Sequence, residues 1–202
     1  MTYLLCHGFG FNNSYWDNLI PLLDDEYEFF DANFKMSSEK NYVGVGHSLG
    51  FLKLNNSGVN FRALVGLQGF LNFCGSEPGH RKILQKNLER MMKECEKNPT
   101  RFLKFFHKLC GHDRQFDLQN FSKENLINDL KIMRNSYKHC GSPTLILGSH
   151  EDKIVEDMIL KDNFENKKNI RLRYIDGVNH TLGFPKPKET VEAIRHFLME
   201  IC

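Results

Sequence analysis

The stretch Tyr42-Val43-Gly44-Val45-Gly46-His47-Ser48-Leu49-Gly50 is a β-prone apolar run that passes directly into G-x-S-x-G. A serine hydroxyl stands clear at the end of a strand when the chain reverses sharply into a helix, and small residues must then flank it. Gly46 and Gly50 supply that clearance, which makes Ser48 a candidate nucleophile on a strand-to-helix elbow. A dinucleotide-binding loop is excluded: the glycines are spaced G-x-G-x-x-x-G, with Leu49 where the third glycine belongs, and no P-loop lysine is present.

Working outward, short β-branched or aromatic runs alternate with helical patterns, the signature of an α/β chain with a mostly parallel sheet. Strands are predicted at Thr2–Cys6, Tyr27–Asp31, Tyr42–Gly46, Ala63–Leu67, Thr144–Leu147 and Ile170–Ile175, most of them apolar on both faces as buried parallel strands are. A helix is predicted over Ser14–Leu23 with Ser14 as N-cap, and a closing helix over Pro187–Cys202. The helix after the elbow is expected to be short, since Asn55-Asn56-Ser57-Gly58 interrupts it. Between the fourth and fifth strands, residues 75–140 form a helical insertion with patterns at His80–Lys97, Pro99–Cys110 and Ser122–His139. Pro99 suits the first turn of the second of these.

Two further strand ends carry reactive groups. His7-Gly8-Phe9-Gly10 follows the first strand, and a glycine-containing turn there can aim a backbone N–H at a developing oxyanion; Phe9 and Leu49 are the candidate donors. Leu145-Ile146-Leu147-Gly148 runs into the acidic loop Ser149-His150-Glu151-Asp152, and Tyr174-Ile175 into Asp176-Gly177-Val178-Asn179-His180. A serine hydroxyl needs an imidazole to take its proton, and the imidazole needs a carboxylate to fix its tautomer. Ser48, Asp152 and His180 occur in that order, each beyond a predicted strand, and strand ends on one edge of a parallel sheet converge. Glu151 and Asp176 are rival acids. Lys153-Ile154-Val155 after Asp152 favours it, although it stands four positions beyond Gly148, one more than the common spacing.

Composition bounds the rest. The chain has 202 residues, 41% hydrophobic and 26% charged, enough for one domain with a single core. Mean hydropathy is −0.45 and no apolar run approaches the roughly 18 residues that span a bilayer, which excludes a membrane-embedded chain. The N-terminal stretch lacks the basic start of a signal peptide, and a cytoplasmic location is expected. The six cysteines form no C-x-x-C pair, so neither disulfides nor zinc are expected, and the nine histidines show no H-E-x-x-H or H-x-H spacing. No metal or cofactor is expected. A net charge of +2 argues against a nucleic-acid binder, yet residues 75–140 hold 14 Lys and Arg against 8 Asp and Glu, leaving that segment at +6. The abundance of Lys and Asn reads as compositional. The chain's 17 phenylalanines permit an apolar pocket, for which Trp16, Phe70, Phe102 and Phe106 are the lining candidates, with Phe105 and Phe184 beside them.

The motif set resembles the α/β-hydrolase superfamily over Leu4–Leu23, Tyr42–Asn72 and Pro143–Pro185, about half the chain. Within it the chain is most similar to the pimeloyl-acyl-carrier-protein methyl ester esterases of biotin synthesis. That similarity lies in Leu5-Cys6-His7-Gly8-Phe9-Gly10 followed by Tyr15-Trp16, in Gly46–Gly50, in Arg62-Ala63-Leu64-Val65 and in Arg101-Phe102-Leu103. The resemblance implies six mostly parallel strands with helices on both faces and a helical cap. It also implies hydrolysis of a methyl ester on an acyl chain carried by a small acidic protein, with the basic cap docking that acyl-carrier protein. Phe51 departs from the pattern, standing where a second glycine is common after Gly50. Two other readings fit the same residues: a general short-chain carboxylesterase or thioesterase, and a catalytically silent binding module on the same scaffold.

Overall fold

The computed structural model describes residues 1–111 and 121–201. Six strands form one sheet in the order β2-β1-β3-β4-β5-β6, and every neighbouring pair is parallel. They are β1 Thr2–Cys6, β2 Glu26–Phe29, β3 Tyr42–His47, β4 Ala63–Leu67, β5 Thr144–Gly148 and β6 Ile170–Tyr174. β1, β3, β4 and β5 are buried at every position, as their unbroken apolar runs require, while β2 and β6 form the half-exposed edges. Each fully enclosed Leu, Val or Phe side chain in this core contributes roughly 1.5–3 kcal/mol by leaving water.

Strand order reverses between β1 and β3: the chain leaves β1 toward β2 on one side and resumes on the other. Such a switch point leaves a crevice beyond the strand C-termini. The register sets Cys6 opposite Gly46 and His47 opposite Leu67, so these strands end level with one another.

The helices are α1 Leu49–Asn55, α2 Pro78–Lys97, α3 Pro99–Leu109, α4 Lys123–Ile132, α5 Asp157–Phe164 and α6 Pro187–Glu200. α2, α3 and α4 fall within the expected insertion, of which residues 112–120 lie outside the described residues, as does Cys202 at the end of the expected closing helix. Asn98 ends α2 and starts α3, its side chain accepting from Arg101 N at 2.9 Å, with Pro99 in the first turn. α1 is as short as its Asn-Ser-Gly stop implies.

Three expectations are corrected. The helix predicted over Ser14–Leu23 is two 3-10 turns, Asn13–Trp16 and Ile20–Leu22, and the N-cap is Asn12, which accepts from Ser14 N. Pro21 has no N–H to give residue 17, and its ring opposes that carbonyl, so an α-helix cannot run through. The third inserted helix stops at Ile132 rather than His139. Beyond it Ser136 bridges to Asn72, Tyr137 N donates to Leu71 O, and the Asn55 side chain clips Lys138 O and Cys140 N, each at 2.9 Å. α5 had no counterpart in the sequence reading.

Phe51 fits because β4 makes room for it. A Cβ at Gly66 would come within 2.8 Å of the Phe51 ring, and one at Gly69 within 2.7 Å. The ring stands edge-on to Phe164 of α5 at 5.8 Å.

Candidate active site

The elbow places Ser48 at φ 51°, ψ −121°, a conformation that costs a non-glycine residue about 1–3 kcal/mol. Its surroundings enforce it: Ser48 N donates to Leu67 O at 2.9 Å, and Phe51 N to Ser48 O at 3.1 Å. Cβ atoms at Gly46 and Gly50 would lie 2.3 Å from Phe51 N and 2.0 Å from Cys6 O, so nothing larger than glycine fits either flank. Gly8 closes against the same elbow, where a Cβ would stand 3.0 Å from Ser48 Cβ. The turn carrying Phe9 therefore lies against Ser48, and Leu49 opens α1, where first-turn amides have no helical partner.

His180 reaches this point from beyond β6. Its Nε2 lies 2.9 Å from Ser48 Oγ and its Nδ1 lies 2.8 Å from Asp152 Oδ2. A carboxylate oxygen accepts, so Nδ1 carries the hydrogen and Nε2 accepts from the Ser48 hydroxyl. Asp152 Oδ1 in turn accepts from Ile154 N at 2.8 Å and Val155 N at 3.0 Å, which fixes the carboxylate. The side chains of Asp152 and His180 are 0% and 1% exposed, and Ser48 is 3% exposed. The extra residue before Asp152 is taken up by a turn in which Asp152 N donates to Ser149 O.

The rival acids are engaged elsewhere. Asp176 Oδ1 accepts from His150 N and faces His150 Nδ1 at 2.8 Å, while Glu151 Oε2 accepts from Ser149 Oγ and Gly177 N. Hydrogen bonds to the charged form hold both carboxyls below their ordinary range.

The structure adds residues that the sequence reading passed over. Gln68, fully buried at φ 54° just beyond β4, donates through Nε2 to Asn179 O at 2.6 Å and accepts at Oε1 from Leu182 N at 3.0 Å, bracketing His180. His47 Nε2 donates to His180 O at 3.0 Å while its ring stacks on Tyr15 at 4.1 Å. His107 of α3 donates from Nε2 to Gly10 O at 2.6 Å, and burial pushes its pKa down. Gln68 was findable: it is the polar residue ending an apolar run whose neighbour ends in Ser48.

A cavity of about 590 Å³ lies between α2, α3 and the loop after Asp152. Phe102 and Phe106 line it together with Phe105, Arg90, Arg101 and Lys153. Phe102 and Phe106 also stand edge-on to Phe9, with ring centroids 6.1 and 5.1 Å away, so they separate this cavity from the elbow. A second cavity of about 460 Å³ is lined by His7, Gly8 and Gly10 of the turn after β1 and by the Lys53–Asp129 pair. Neither wall includes Ser48 or His180. Trp16 and Phe70 are fully enclosed, against Tyr15 and Phe73 respectively, and line neither cavity; Phe184 packs edge-on to Tyr15. Among the described residues no group of three or more His, Cys, Asp and Glu side chains is gathered as a metal ion would need, and no helix is long and apolar enough to cross a membrane.

No protein-family model matches the chain, and no curated protein matches its sequence. Solved structures do match its fold. An esterase from Exiguobacterium antarcticum superposes with a TM-score of 0.76 at 14% identity, over 98% of this chain and 92% of that one. A lipase-esterase related protein from Clostridium acetobutylicum gives 0.68 at 18% identity, over 97% and 93%. MenH from S. aureus gives 0.67 at 14% identity, over 100% and 94%. Six parallel strands with helices, matched across nearly the whole chain, constitute the α/β-hydrolase fold.

Proposed function

We propose that this chain is a serine carboxylic ester hydrolase, and that its substrate is an ester on an acyl chain borne by a small acidic carrier, the methyl ester of pimeloyl-acyl-carrier protein in biotin synthesis. The observation that carries the chemistry is the continuous relay from Ser48 Oγ through His180 to Asp152, with contacts of 2.9 and 2.8 Å, on an elbow held at positive φ.

In this reading Ser48 Oγ attacks the ester carbonyl as His180 Nε2 takes its proton, and Asp152 steadies the resulting imidazolium through Nδ1. The amides of Phe9 and Leu49 hold the oxyanion. His180 passes the proton to the departing methanol, and a water activated by the same imidazole then releases the acid from Ser48. Phe102 and Phe106 border the acyl chain, which reaches Ser48 when α3 lifts from Phe9. The carrier part of the reading is supported by the +6 balance of residues 75–140 and by Arg90, Arg101 and Lys153 on the cavity wall. A cytoplasmic setting goes with such a partner.

The test is hydrolysis of pimeloyl-carrier-protein methyl ester and of a short p-nitrophenyl ester by the wild type and by Ser48→Ala. Selective cleavage of the carrier-linked ester that disappears in Ser48→Ala supports the whole reading. Cleavage of the small ester alone keeps the nucleophile and removes the carrier and the biotin pathway. Failure to cleave either, with folded protein, leaves the silent binding module.

A further inference from the structure

Resting on that reading, we propose that Asn179 is a positioning residue whose side-chain amide aligns His180 with one end and fastens helix α3 over the site with the other. Its Oδ1 accepts from His180 N at 2.9 Å and from Lys153 N at 3.0 Å, joining the loop that carries the imidazole to the loop that carries Asp152. Its Nδ2 donates to Leu109 O at 2.9 Å. Leu109 is the last residue of α3, and carbonyls in a final turn lack helical partners, so Asn179 caps this helix from outside it. The approach is close: Gly111, at φ +75°, would bring a Cβ within 2.9 Å of Asn179 Cβ. The Asn179 backbone is itself anchored, its carbonyl accepting from Gln68 Nε2 at 2.6 Å.

The junction thus draws together the C-terminal end of α3, the acid loop, the histidine loop and the strained end of β4. α3 also carries Phe102 and Phe106, the rings between the larger cavity and Phe9. The side chain that holds the His180 backbone beside the acid loop is therefore also one that holds the C-terminal end of α3.

Two variants divide the two ends of the amide. Asn179→Ala removes both. The expected result is a roughly ten- to hundredfold lower kcat on a short p-nitrophenyl ester with little change in KM, as sub-ångström misplacement of a catalytic imidazole produces, together with faster amide exchange both in the last turn of α3 and across residues 179–182. Asn179→Asp keeps the acceptor for the His180 and Lys153 amides and loses the donor to Leu109 O. Faster exchange at the end of α3 alone is expected, with residues 179–182 as protected as in wild type. Thermal midpoints of both variants identify a folding defect, in which case the Asp variant alone decides.

The proposal is overturned if Asn179→Ala keeps kcat within twofold, or if Asn179→Asp leaves the last turn of α3 as protected as in wild type. Should the wild type neither cleave esters nor react with a fluorophosphonate, the hydrolase reading fails, and the exchange pattern still tests the junction by itself.

Discussion

The sheet edge and the helical insertion solve different problems with different kinds of residue. At the edge, backbone passes within contact distance of backbone, as at Gly50 against Cys6 O, and single residue types are compulsory at single positions. The described part of the insertion is held by helix caps, packed apolar faces and the Lys53–Asp129 and Arg134–Glu89 pairs. An arrangement of a few atoms within hydrogen-bond reach is written compactly in a sequence; a charge balance summed over a segment is written diffusely.

Perturbing the edge should cost most. Ser48→Ala or His180→Ala is expected to lower kcat on a small ester by at least about 10³-fold, with a thermal midpoint close to wild type. A loss below tenfold would break the assignment of the edge as the reactive region. Gly50→Ala places a Cβ 2.0 Å from Cys6 O and should destabilise the fold by about 3 kcal/mol in urea titration, with activity falling alongside. Unchanged stability would show that the elbow can relax.

Perturbing the insertion should be selective. Arg90 and Arg101 lie on the cavity wall, whereas Arg81 holds Gly75 O, so the informative variant reverses Arg90 and Arg101 to Glu. Its kcat/KM for carrier-linked ester should drop about tenfold, and for a small ester by less than twofold. Equal losses on both substrates would sink the docking role.

The smallest effect joins the two regions through pH. Burial lowers the pKa of His7 at the edge, and of His107 and His139 in the insertion. These imidazoles take up a proton less readily in the fold than in the unfolded chain, where the ordinary value is about 6.5. Their contribution is complete above that value and is lost as pH falls through it toward the lower folded values. Unfolding free energy should fall as pH drops from 7.5 to 5.5. A rise over that interval would contradict the neutral burial of these rings.

What could be read from the sequence follows the same division. The strands were legible because a strand buried on both faces must be a short apolar run, and Ser48, Asp152 and His180 because each stands just beyond one. The 3-10 turns at Asn13–Leu22 were misjudged where one proline outweighed an apolar period. The asparagines were misjudged as composition. Asn163 Oδ1 accepts from Leu71 N and Asn72 N, Asn55 clips residues 138 and 140, and Asn179 ties α3 to His180. Side-chain amides that satisfy loop backbone 70 to 92 residues away in sequence leave no local period, so no window of the chain displays them.

Fluorophosphonate labelling of the folded protein, with the adduct located by peptide mass mapping, tests the central claim most directly. The account predicts one adduct, on Ser48, formed by the wild type and lost in His180→Ala. An unlabelled protein, or an adduct on another serine, would contradict it.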